Sequence, residues 1–141
     1  MRAKSGPFGW TALHEAAGQG SFACAAALVD AGAEVDARAE DGETPLHLAA
    51  QQGSSEAIQL LVARRADVEA ANEDGETPLL VAVQHIGGKT LAHLQALLDL
   101  RADPAARNAE GHDAAACAGL YTNRASEVLE LLGAAPAAAG A

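Results

Sequence analysis

Asp41-Gly42-Glu43-Thr44-Pro45-Leu46-His47-Leu48-Ala49-Ala50 is the stretch on which the reading of this chain turns. It returns 33 residues later as Asp74-Gly75-Glu76-Thr77-Pro78-Leu79-Leu80-Val81-Ala82-Val83. A weaker form stands 33 residues earlier as Gly9-Trp10-Thr11-Ala12-Leu13-His14-Glu15-Ala16-Ala17, and a worn copy follows as Gly111-His112-Asp113-Ala114-Ala115-Ala116-Cys117-Ala118. Each copy reads as a helix start. Thr44 is placed to accept a hydrogen bond from a first-turn N–H that otherwise has no partner. Pro45 follows where its fixed φ fits and its missing N–H costs nothing. His47, three residues after the cap, can reach back toward it as the acidic member of a capping box does. Leu46, Ala49 and Ala50 make a narrow apolar stripe whose small side chains let neighbouring helices approach. Gly53 is placed to end the helix in the left-handed conformation.

A second helix follows in each unit. Ser54 or Ser55 can cap it, and Ile58, Leu61 and Val62 fall at helical spacing. Ala25, Leu28 and Val29 repeat that spacing, as do Leu94, Leu97 and Leu98, and Val128, Leu131 and Leu132. Each unit closes on a hairpin-like run: Gly32-Ala33-Glu34-Val35-Asp36, Ala66-Asp67-Val68-Glu69, and Ala102-Asp103-Pro104.

A fixed period near 33 residues with Thr-Pro-Leu-His at its head resembles the ankyrin-repeat family, from about Gly9 to Leu132. The resemblance implies an all-α solenoid of four helix–turn–helix repeats with short β-hairpin fingers. The expected organisation is an N-terminal extension over 1–8, repeats over about 9–38, 39–71, 72–107 and 108–133, and a flexible Ala/Gly/Pro tail over 134–141. Composition agrees with a thin solenoid. The chain has 141 residues, half of them apolar but only 3% aromatic, and layers that touch only their neighbours need few large side chains.

Departures from the pattern carry expectations of their own. Arg65 and Arg101 replace the glycine expected after the second helix. Either those turns relax, or a left-handed non-glycine residue costs on the order of 1 kcal/mol. A three-residue insertion around His85-Ile86-Gly87-Gly88-Lys89-Thr90 lengthens the loop between the helices of repeat three. In repeat four, Ala114 takes the proline position, and Asn123 is expected in the left-handed place between its helices. The helix Phe22 to Val29 is apolar on nearly every side. Two readings stand: alanine is tolerated in water, or this end packs against a partner or an upstream repeat.

Several function classes are disfavoured. Formal charge is −10, without a basic stripe, so a phosphate backbone would repel the chain. No apolar run approaches the ~18 residues that span a bilayer, and no apolar leader follows Arg2 and Lys4. The expected setting is intracellular, soluble and cytoplasmic. Cys24 and Cys117 fall in the first and last units, too far apart to bond, and read as small buried hydrophobes in a reducing compartment. His14 and His47 would stand about 10 Å apart in stacked helices, too far to share a metal whose ligands lie ~2 Å from it. His85 and His93 could approach each other, but a third ligand is lacking. No metal or cofactor is expected, and no nucleophile or phosphate loop points to catalysis.

The expected function is therefore a non-catalytic protein–protein interaction module. The resemblance implies that contact positions surround the glycine before Thr-Pro-Leu-His and follow the first helix. Repeat one then offers Trp10, an aromatic of the kind enriched at binding hot spots. Repeat two offers Glu40, Asp41, Glu43, Gln51 and Gln52. Repeat three offers Glu73, Asp74, Glu76, Gln84 and His85. The worn repeat four offers Glu110 and His112. Such an acidic edge would steer a basic protein surface, with the chain a monomer alone or one subunit of a hetero-complex. The alternative is an accessory subunit held permanently in a large assembly by its apolar end faces.

Overall fold

The computed structural model describes residues 4–5, 9–86 and 91–132. The expected tail over 134–141, the Gly87–Thr90 part of the insertion and most of the N-terminal extension lie outside the described residues. Within them, β1 (Lys4–Ser5) pairs antiparallel with β2 (Trp10–Thr11), so the chain ahead of the first repeat forms part of its finger. Eight helices follow among the described residues: α1 (Ala12–Gly18), α2 (Phe22–Asp30), α3 (Pro45–Gln52), α4 (Ser55–Ala63), α5 (Pro78–Gln84), α6 (Ala92–Asp99), α7 (Ala114–Tyr121) and α8 (Ala125–Leu131). They pack as sequential pairs. Helices α1, α3, α5 and α7 form an inner row, and α2, α4 and α6 an outer one. Helix α8 packs chiefly on α7.

Isolated helices of seven to nine residues are unstable in water, so caps and packing must hold them. Thr11, Thr44 and Thr77 each stand in extended conformation before an inner helix and accept the N–H three residues on. Asp113 does the same for α7. Ser21 and Ser54 cap the outer helices α2 and α4, whereas Leu91 and Arg124, before α6 and α8, offer no side-chain cap. The core runs along the seam. Leu13, Leu46, Leu79, Ile58, Leu61, Leu94 and Leu97 are fully buried, and Ala17, Ala49, Ala50 and Ala82 are closed off where inner helices meet.

The turn after α3 is left-handed at Gly53 (φ 84°). Arg65 and Arg101 both hold φ 73°, so those turns keep the glycine conformation instead of relaxing. Asn123 does not take the left-handed place. Helix α7 ends at Thr122, whose β-branched side chain suits an extended backbone (φ −141°, ψ 145°) and whose hydroxyl accepts the Arg124 N–H. Cys117 is buried, but Cys24 is exposed. Helix α2 is the first of the outer row, with no described helix on its far side, so it buries Ala25 and leaves Cys24 and Phe22 in solvent.

Candidate acidic finger face

Fingers two and three are tight turns closed by two backbone bonds each. In finger two the Ala39 N–H donates to Glu43 O and the Gly42 N–H to Ala39 O, and Asn72 and Gly75 repeat the pair in finger three. The fingers stack on each other. The Glu73 N–H donates to Asp41 O and the Ala109 N–H to Asp74 O, both at 2.9 Å. Glycine is required at this approach. A Cβ on Gly75 would stand 2.7 Å from the Ala109 nitrogen, and both Gly75 and Gly42 hold positive φ. Side chains brace the turns. The Arg38 guanidinium donates to Gly42 O and across to Ala71 O (3.1 and 2.7 Å). Asn72 Oδ1 accepts the Asp74 and Glu76 N–H groups, while in finger two the Asp41 carboxylate accepts the Glu43 N–H.

Beneath the fingers the histidines do more than cap. His47 Nδ1 accepts the Thr44 N–H at 3.0 Å, so the ring proton sits on Nε2, which donates to Glu76 O at 2.7 Å. His14 repeats this with Thr11 and with Glu43 O at 2.8 Å. Each ring thus ties the start of its own helix to the finger of the next repeat. Burial holds the His47 pKa below its ordinary value of 6.5. That bridge lies 29 residues away in sequence and ends on a backbone oxygen. The only advance sign of it is a polar ring recurring on a buried stripe.

The residues expected to make contact divide into two groups. Trp10, Asp41, Glu43, Gln51 and Gln52 come together around a cavity of about 330 Å³, which Gly18 and Leu48 complete. Leu48, Gln51 and Gln52 stand at i, i+3 and i+4 on one face of α3, the spacing that would have placed Leu48 there. Glu73, Asp74, Glu76, Gln84 and His85 lie one repeat along, outside that cavity. There the Gln84 amide donates to the Glu76 carboxylate, and His85, exposed after α5, donates from Nδ1 to Val81 O. The Glu40 stem lies over Gly9, beside the cavity. In finger four Glu110 is exposed, and the half-buried His112 donates its backbone N–H to Asn108 Oδ1.

The field around Glu43 is strong. Burial, then the neighbouring Asp41 and Glu76 carboxylates, push its pKa up to about 7, against a lowering hydrogen bond from Asn72. His93 is buried in α6 while His85 is exposed. Among the described residues no group of three or more His, Cys, Asp or Glu is placed to hold a metal ion. No helix among them is long and apolar enough to cross a membrane.

A family model described as ankyrin repeats, three copies, matches residues 1–72 and 31–108. The chain belongs to the ankyrin-repeat family. The match runs through the third repeat and stops where the worn fourth copy begins. No curated protein matches the chain. Ankyrin-repeat domains are in general protein–protein interaction modules and typically non-catalytic, which agrees with an all-α stack of helix pairs carrying projecting fingers.

Proposed function

We propose that this ankyrin-repeat protein binds a partner protein through the acidic face of fingers two and three and the adjoining ends of α3 and α5, and that the partner's contact surface is rich in lysine and arginine. One observation carries the reading. Glu40, Asp41, Glu43, Glu73, Asp74 and Glu76 crowd two stacked fingers, and none of the six forms an ion pair with a described residue. The cations Arg64 and Arg124 pair elsewhere, with Asp30 and Glu127. Six carboxylates on one edge outnumber the single Arg38 guanidinium that braces the two fingers, and such an excess raises the local potential and speeds the encounter with a basic surface more than it deepens affinity.

The test is the association rate of the captured partner against ionic strength. The rate should fall as salt shortens the screening length, about 10 Å at 0.1 M. Reversing Glu43 and Glu76 to lysine should slow it further at low salt. A rate indifferent to both would overturn the reading. A second reading, incorporation into an assembly through the end faces, has one observation in its favour: α2 buries Ala25 while Phe22 remains 47% exposed.

A further inference from the structure

We propose that the cavity between fingers one and two is a socket for a single arginine side chain of the partner. The proposal rests on the acidic-face reading and gives it a centre. The cavity, about 330 Å³, lies at the lower end of ligand-pocket sizes, roughly 300–1,000 Å³. It is the size for one long side chain laid between walls. Those walls differ in chemistry. Trp10 and Leu48 offer apolar and aromatic surface to a methylene stem and a flat cation. Asp41 and Glu43 supply carboxylates, and Gln51 and Gln52 supply amide oxygens at the rim. A guanidinium carries five N–H donors in a plane and is weakly hydrated, so it can meet several of these acceptors while resting against an indole. An ammonium has three donors and holds its water more tightly.

Burial, then the Asp41 and Glu76 carboxylates, raise the pKa of Glu43 at the cavity wall. The charged and titratable groups facing it are Asp41 on its own finger, Glu76 on the next, Arg38 at the finger's base and His14 below, bonded to the Glu43 carbonyl. A cation in the socket favours the ionised carboxylate. Binding therefore weakens as pH falls through about 7, and Glu43→Gln removes that dependence.

Trp10 is the chain's single tryptophan, so its indole N–H gives one resonance to follow. The probes are Nα-acetyl-arginine methylamide, its lysine counterpart and its neutral citrulline counterpart, titrated into the whole chain at pH 8. The arginine probe should shift the indole signal saturably, with the lysine probe several-fold weaker and the citrulline probe about tenfold weaker, as loss of a charge-assisted contact implies. Gly18→Met supplies the decisive variant. A Cβ there meets nothing closer than the Leu48 side chain at 3.8 Å, so a side chain can start at this wall of the cavity and extend into it without change of charge. It should abolish the arginine shift while the partner's association stays salt-dependent. Equal binding of arginine and citrulline, equal binding of arginine and lysine, or an arginine shift that survives Gly18→Met would each overturn the socket. The comparison of probes on the parent protein needs no variant to fold. If the partner's rate responds to salt but arginine never moves the indole, the socket falls and the acidic face stands. If arginine binds but the partner's rate ignores salt, the acidic face falls.

Discussion

The junctions of repeat one with two, and of two with three, are crossed by buried histidines: His14 to Glu43 O at 2.8 Å and His47 to Glu76 O at 2.7 Å. At the junction of three with four, Leu80 holds the histidine's place, and α8 packs chiefly on its own partner α7. The finger bond from Ala109 to Asp74 persists there, but the apolar Leu80 has no polar atom to couple the helix start to the next finger. One residue type at one repeat position thus separates a coupled part of the solenoid, bridged beneath its fingers, from a terminal unit held by a finger bond, a Gln84–Cys117 contact and apolar packing. The coupled part is the one that carries the acidic face. In a stack whose stability is a sum of unit and interface terms, the last unit opens first.

Making repeat two resemble repeat three should break the comparison most visibly. His47→Leu keeps an apolar volume but removes both the bridge and the cap bond to Thr44. It should cost about 2 kcal/mol in urea unfolding, the loss of one partner from two buried hydrogen bonds. An unchanged midpoint would mean that the bridge contributes nothing.

Two groups at these junctions respond to pH in opposite directions. The Glu43 pKa is raised in the fold, so its contribution to stability is present below the ordinary 4.5 and is lost as pH rises to about 7. The His47 pKa is lowered, so its contribution is present above 6.5 and is lost as pH falls. Glu43→Gln should therefore melt higher than the parent by a margin that grows from pH 4.5 to about 7 and then levels off. A margin independent of pH would contradict the assigned field.

Caps give a smaller effect. Thr77→Ala should cost about 1 kcal/mol. Thr44→Ala should cost somewhat more, because its hydroxyl also meets His47 Nδ1 at 2.9 Å. Thermal melts of the two variants compare repeat three with repeat two directly, and equal melting curves for variants and parent would remove the cap argument. The smallest change is a gain. Arg101→Gly relieves a left-handed residue at φ 73° and should stabilise by up to about 1 kcal/mol.

The sequence made some of this readable and hid the rest for physical reasons. Thr44, Pro45 and His47 announce the helix start because capping is local: donor and acceptor lie within one turn. Gly53 announces its end for the same reason. The histidine bridge was hidden, since Nε2 finds a backbone carbonyl that carries no side-chain signature. The cavity was half legible. Trp10, Asp41, Glu43, Gln51 and Gln52 follow from the repeat positions and Leu48 from its helical spacing to the two glutamines, but Gly18 lines it only because α1 and α3 stack side by side. Asn123 misled, because tolerance of a left-handed backbone is permission and not a requirement, and the extended Thr122 already turns the chain. Cys24 misled because a small apolar residue reads as buried, whereas α2 opens the outer row with no described helix on its far side.

Hydrogen exchange of the whole chain, alone and with the captured partner, tests the central claim most directly. The acidic-face account predicts that binding slows exchange in fingers two and three, around 40–43 and 73–76, and at the ends of α3 and α5, while α2 and α8 exchange as they do alone. Slowed exchange across Phe22, Leu28 and Val29 with the fingers unchanged would contradict it and move the interface to the end of the stack.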